Sequence, residues 1–347
     1  PRPALARGYA MLSYVACLTP FQGIAARLGR RALKVAEDLG SDATIVYVLA
    51  RVMAYHETVG LWHEAQAGYD RALHLAQSIG DRKQEDEVYQ TRGVGLYVEG
   101  RFQDRLKALE ACLESASSRG DARFEGFSRS GLMECYVRLG MDAEAKANLP
   151  ELERWARGER EQSEAVWAHS AAAMAAWHLA DEEKARAEAD RALALMRQSP
   201  PQVFLLTPPL WELCEFYMAL AERNADAAHA DAVVVRGHLE ELVAMFKKFA
   251  SLIRAARPYA KLAEGGLAWR SGRAAKAMQH WKEAVTLADK AGAKHAQARA
   301  CYELGRHSEG PARVRMLDTS IALFEEMGVK PELARAREAK TSGRVAL

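Results

Sequence analysis

Residues Asp42 to Gly80, DATIVYVLARVMAYHETVGLWHEAQAGYDRALHLAQSIG, read as two helices that meet at Gly60 and end at Gly80. In the second helix Ala65, Tyr69 and Ala72 follow Gly60 by five, nine and twelve residues. Small residues at that spacing seat one helix closely against another, and the aromatic fills the gap beside them. Much of the chain repeats this stretch. Steps of 40 from Pro20 land on Gly60, Gly100, Gly140 and Ala180, and the same step from Gly40 lands on Gly80 and Gly120. The step also relates Ala25, Ala65, Ala145 and Ala185, with Arg105 as the exception, and relates Ala32, Ala72, Cys112, Leu152 and Ala192. Units of this length cannot bury their own apolar faces and stack into a shared core. The expected fold is an all-α, right-handed superhelical solenoid of about eight helical hairpins with a period near 40 residues.

Composition agrees with that architecture. At 347 residues the chain exceeds the usual size of one globular domain, yet no shift in composition divides it. A solenoid grows by adding units, so its length sets no such limit. Alanine, leucine, arginine and glutamate dominate, which favours helices throughout. With 48 basic residues against 46 acidic, the formal charge is +2. That near balance lacks the basic field of a nucleic-acid binder. The densest basic run, Arg27 to Lys34, spreads around a helix as a solvated face. Cys17, Cys112, Cys135, Cys214 and Cys301 are far apart and odd in number, as expected of reduced, packed thiols in a cytoplasmic protein. No apolar run approaches the roughly 20 residues that cross a bilayer, so no membrane partner is expected. The opening Pro1-Arg2-Pro3 lacks both an initiator methionine and a signal-peptide layout, and is expected of a piece of a longer polypeptide.

Taken in order, the first unit pairs helices over 4–18 and 21–39, with Pro20 in the turn. The third pairs 82–99 with 102–118, and Asp81 is placed to cap it. Within it, Tyr89 and Gly93 have the spacing of a large residue over a close helix crossing. The fourth pairs 122–139 with 142–157, where Pro150 predicts a kink or early break. The fifth pairs 161–179 with 182–197, capped by Asp181. Regularity fails at Ser199-Pro200-Pro201 and Pro208-Pro209. Helices over 211–223 and 228–255 then make an oversized sixth unit. Gly265, Gly272, Ala277, Trp281 and Ala284 restore the pattern in the seventh, over 258–270 and 274–291. The last unit spans 293–306 and 311–327, and a helix over 331–339 covers the open end. The expected divisions are regular repeats one to five over 1–198, an irregular unit acting as a hinge over 199–256, and repeats seven and eight with a capping helix over 257–347.

Gly60 with Ala65, Tyr69 and Ala72, and Gly272 with Ala277, Trp281 and Ala284, resemble the tetratricopeptide (TPR) pattern, lengthened from 34 residues to about 40. The Gly80-Asp81 and Gly120-Asp121 junctions, with Ala298 to Arg306 (ARACYELGR) and Leu323 to Arg337 (LFEEMGVKPELARAR), resemble TPR-like arrays at the C-terminal end of large bacterial signalling ATPases of the MalT-related type, including cyclase- and kinase-fused ones. In that family the array senses an inducer or partner and restrains a module upstream. The resemblance thus implies a cytoplasmic, non-enzymatic scaffold in signal transduction, with a protein, a peptide or a small-molecule inducer as partner alongside other domains of the parent chain.

First helices of such hairpins line a concave face. Counting one residue past the Gly93-type position gives Tyr14, Ala54, Val94, Glu134 and Met174 as inner residues. Neighbouring turns add Arg51, Gln90, Tyr97, Trp167, Trp177, His178, Trp211, Glu215, Trp269 and Arg270. The candidate partner-binding set is Tyr14, Arg51, Gln90, Tyr97, Glu134, Trp167, Trp177, Trp211 and Trp269, since aromatic anchors carry much interface energy. The opposing expectation is that such tryptophans pack between units.

Catalytic, cofactor and metal sites are not expected. Gly266 to Lys276 lacks the lysine and hydroxyl residue after its second glycine that a phosphate loop needs. His63-Glu64 lacks the second histidine of a zinc-protease helix, and His56, His63 and His74 have no accompanying ligand set. Glu182-Glu183 falls at a helix start, where acids favour the dipole. Ala10, Tyr14, Ala50 and Ala54 stand where chaperone-binding TPR proteins hold a peptide carboxylate with lysines and asparagines, so that clamp is absent. Two rival readings remain: a free-standing TPR peptide receptor, and an all-helical enzyme with its site in the irregular region 200–255.

Overall fold

At the junctions the chain turns through the left-handed backbone region. Gly40, Gly60, Gly80, Gly100, Gly120 and Gly140 all have φ between 62° and 85°, and Ala180 takes the same conformation at 63°. L residues with a Cβ pay a steric cost there, which is why glycine recurs at a fixed step. The computed structural model describes residues 2–19, 22–158, 160–223 and 229–342. The predicted turn residue Pro20 and the predicted helix start at Ala228 lie outside them.

Seventeen α-helices and two single 3-10 turns, with no strand, are found among the described residues. The first four hairpins are α1 (Pro3–Cys17) with α2 (Gln22–Leu39), α3 (Asp42–Val59) with α4 (Trp62–Ser78), α5 (Arg82–Glu99) with α6 (Phe102–Arg119), and α7 (Ala122–Leu139) with α8 (Asp142–Ala156). The next four are α9 (Gln162–His178) with α10 (Glu182–Gln198), α11 (Thr207–Arg223) with α12 (His229–Leu252), α13 (Arg257–Arg270) with α14 (Ala274–Ala291), and α15 (Lys294–Arg306) with α16 (Gly310–Met327). Helix α17 (Lys330–Thr341) follows the last hairpin. Asp81, Asp121 and Asp181 each accept a hydrogen bond from a backbone N–H of the first turn, at 3.1, 3.3 and 3.1 Å.

The odd-numbered helices touch one another in an unbroken row from α1 to α17, flanked by the even-numbered ones. Burial follows that division. Helix α9 is buried almost all round, from Glu164 to Ala176, as a helix enclosed on every side must be. Helix α14 buries one stripe, Ala277, Trp281, Ala284 and Ala288. The chain is therefore an all-α, TPR-like helical solenoid with an inner and an outer row.

Two expectations need correction. Pro208 and Pro209 do not precede α11 but lie in its first turn, which begins at Thr207. A missing amide costs nothing at that position, because first-turn N–H groups have no partner within the helix. Of the kink or early break expected at Pro150, the break does not occur: α8 continues to Ala156 while burying Leu149, Leu152, Trp155 and Ala156.

The inner row curls tightly enough to meet itself. Helix α5 touches α11 and α15, and α7 touches α17. Junctions meet as well: the Trp62 indole N–H donates to the Ala291 carbonyl, and a Cβ on Gly100 would lie within 2.2 Å of the Met327 sulfur. One hydrophobic cluster accordingly runs from Trp62 through Phe204 and Trp211 to Ala336.

Candidate functional site: a filled interior between two concavities

Where α5 and α7 face α11, α15 and α17, the interior is charged. Arg138, with 3% of its side chain exposed, donates to Glu332 of α17 at 2.6 Å, to Glu215 of α11 at 2.7 Å and to the Tyr97 hydroxyl at 3.3 Å. Arg299 reaches the other oxygen of Glu215 at 3.2 Å. Arg105 pairs with Glu134, which also accepts from the Trp167 indole N–H. His295 lies 3.2 Å from the Tyr259 hydroxyl and 3.6 Å from Glu332.

Burial and the arginines pull the acids of this core in opposite directions. Burial works to raise Glu215, but Arg138 and Arg299 override it and hold the carboxyl at about 2. Burial likewise opposes ionisation of Glu332, and Arg138 with the His295 hydrogen bond holds it well below the ordinary range. Glu212 goes the other way: burial, reinforced by nearby Glu134, raises it well above the ordinary range, so it keeps its proton. Burial also keeps His295 neutral. Burial raises Glu134 as well, with Arg105 opposing it, so three guanidiniums, Arg105, Arg138 and Arg299, face the acidic side chains Glu134, Glu215 and Glu332.

Two concavities remain open on either side. The N-terminal groove, about 320 Å³, is floored by α1, α3, α5 and α7 and walled by the segment carrying Phe204. Tyr14, Arg51 and Gln90 line it together with Phe127 and Phe204. Arg51 lies 3.4 Å from the centre of the Tyr47 ring and 3.2 Å from Glu87. The C-terminal cleft, about 520 Å³, lies among α9, α11, α13, α15 and α17, with Trp177 on one wall and Arg335 on another.

The nine candidate residues thus part company. Tyr14, Arg51 and Gln90 meet in the N-terminal groove, and Trp177 reaches the C-terminal cleft, its ring edge-on to Phe216 and beneath Arg223. Tyr97, Glu134, Trp167 and Trp211 are buried in the filled interior, where the opposing inner helices cover them. Trp269 is half-buried, its ring tilted against His307, which stacks on Trp281. Sequence reasoning missed Arg138, Arg299, Glu332 and Arg335. A signal existed for Arg138: it lies one step of 40 after apolar Val98 and two after buried Thr58. Among the described residues no three metal-binding side chains converge, and no helix is long and apolar enough to cross a membrane.

No family model matches the chain, and no curated protein matches it. Among solved structures it is similar to a circular tandem repeat protein with a novel repeat topology and enhanced subunit contact surfaces, at 12% identity and TM-score 0.27 over 98% of this chain and 95% of that one. It is also similar to the TPR domain of P58(IPK), at 12% identity and TM-score 0.24 over 98% of this chain and 99% of that one. The fold assignment stands on the hairpins and junctions of this chain itself.

Proposed function

We propose that this chain is a non-enzymatic interaction module, the regulatory region of a larger cytoplasmic signalling protein of the kind its TPR-like pattern resembles, and that it takes a partner segment in the N-terminal groove. The observation that carries the reading is the convergence of Tyr14, Arg51 and Gln90 from three successive inner helices beside Phe127 and Phe204. Aromatic rings flanked by an arginine and an amide are what a peptide or helix needs from a receptor: apolar anchorage with hydrogen bonds that fix direction. Trp177 belongs to a different concavity, so one segment does not span all nine candidates. The partner's action is mechanical: contacts made to several inner helices at once bias the curvature that a neighbouring module feels.

Photo-crosslinking tests this. A photoreactive residue at Gln90 should capture a partner that the same residue at exposed Lys107, on outer helix α6, does not. Equal capture at both positions would refute the groove.

A further inference from the structure

The C-terminal cleft has features that the groove lacks. Five arginines, 223, 270, 299, 306 and 335, and four glutamates, 215, 222, 303 and 338, line it, an excess of one positive charge among its walls. Most are already satisfied. Glu222 takes Arg270 at 2.9 Å and Arg306 at 3.0 Å, and Arg223 pairs with Glu182 at 2.9 Å. Two guanidiniums keep donors to spare. Arg299, only 6% exposed, lies 3.2 Å from Glu215 through one terminal nitrogen and has no hydrogen-bond partner for its Nε. Arg335 is half exposed, and its only carboxylate within 4.0 Å among the described residues is Glu215, at 4.0 Å and already shared by Arg138 and Arg299. Between them the walls offer the apolar surfaces of Met218, Ala219 and Trp177.

A buried donor without an acceptor costs free energy that a ligand's acceptor recovers. An arginine fork suits a planar carboxylate. Glu222, Glu303 and exposed Glu338 stand around the same space and would repel a second negative charge. From this geometry we infer that the cleft is a binding site for a small organic monocarboxylic acid, its carboxylate accepting from Arg299 and Arg335 and its apolar body lying against Met218, Ala219 and Trp177. The volume suits such a molecule, since small-ligand pockets run from about 300 to 1,000 Å³. Arg335 comes from α17, Arg299 from α15, Met218 from α11 and Trp177 from α9, so the ligand ties four inner helices together. The site is separate from the N-terminal groove, and either can fail without the other.

Calorimetric titration of the full chain with 4-phenylbutyrate, against its neutral isostere 4-phenylbutyramide, tests the inference. The acid should bind saturably, the amide at least about tenfold more weakly, since a charge-assisted bond to arginine is lost. Arg335→Gln, which keeps the length of an exposed side chain, should weaken the acid about tenfold or more. Ala339→Trp should block the cleft, and Arg273→Gln, on an exposed arginine elsewhere, should change nothing. Equal binding of acid and amide, indifference to Arg335→Gln, or no saturable heat up to about 10 mM acid would each overturn the assignment.

Discussion

Ala180 holds a left-handed backbone, φ 63°, the region that ten glycines occupy among the described residues. For a residue with a Cβ that conformation costs about 1–2 kcal/mol, of which glycine's greater freedom in the unfolded chain takes back part. Ala180→Gly should therefore raise stability by about 0.5–1 kcal/mol, read as a higher urea midpoint at unchanged slope. Gly265 presents the opposite case. A Cβ there would sit 2.3 Å from the Trp281 indole nitrogen, and Trp281 is fully buried. Gly265→Ala should cost about 1–3 kcal/mol by the same measurement, because a packed indole cannot retreat without disturbing its neighbours. Both positions lie in patterns the sequence displays openly, one as the exception to a step of 40 and one as the glycine seven residues before Gly272. What the spacing of Gly265 could not show is which side chain would fill the space it leaves.

Among elements, α7, α11 and α17 are joined by one guanidinium. Removing it leaves Glu332 without its paired guanidinium and Glu215 with Arg299, at 3.2 Å, as its close partner, so Arg138→Ala should destabilise by about 3–5 kcal/mol. It should also change the response to acid. Glu215 is held near 2 in the folded chain against an ordinary 4.5, so its contribution is complete above pH 4.5 and is lost as the pH falls towards about 2. Glu212, raised by burial, works in the opposite sense and contributes less as the pH climbs through its elevated value. Urea midpoints measured from pH 5 down to pH 2 should fall steeply for the unmodified chain and much less for Arg138→Ala. A slope unchanged by the substitution would mean that Arg138 does not depress those carboxyls. Between α10 and α11, the expected hinge also has a measurable form. The amides of Gln202 and Val203, which precede the 3-10 turn, should exchange with solvent much faster than those of α9 or α11; equal protection would argue for one rigid body. Helix limits were legible from turn residues and caps to within a few residues, the start of α11 excepted, because local hydrogen bonding decides them. The charged interior was not. An arginine on a helix reads as solvated until the element opposite is known, and here the opposite elements lie 77 and 194 residues away.

For the whole molecule, the contact of early junctions with late ones is decisive. Trp62 bridges the start of α4 to the end of α14 and lies against Phe204, with centroids 6.4 Å apart. Trp62→Ala together with Met327→Ala should loosen that closure and raise the radius of gyration in small-angle scattering while helical circular dichroism persists. An unchanged radius would locate the closure in the charged interior alone. No spacing within a hairpin encodes this closure, which depends on a small rotation between neighbours summed over several of them. That the array meets itself also bears on how such a gene can change. In an open stack a unit can be duplicated or lost, and the rest slides along to fit. Here the removal of a hairpin between Arg138 and Glu215 would bring Arg138 to the wrong glutamates and Trp62 to the wrong carbonyl. Copy number between the closing contacts is therefore constrained.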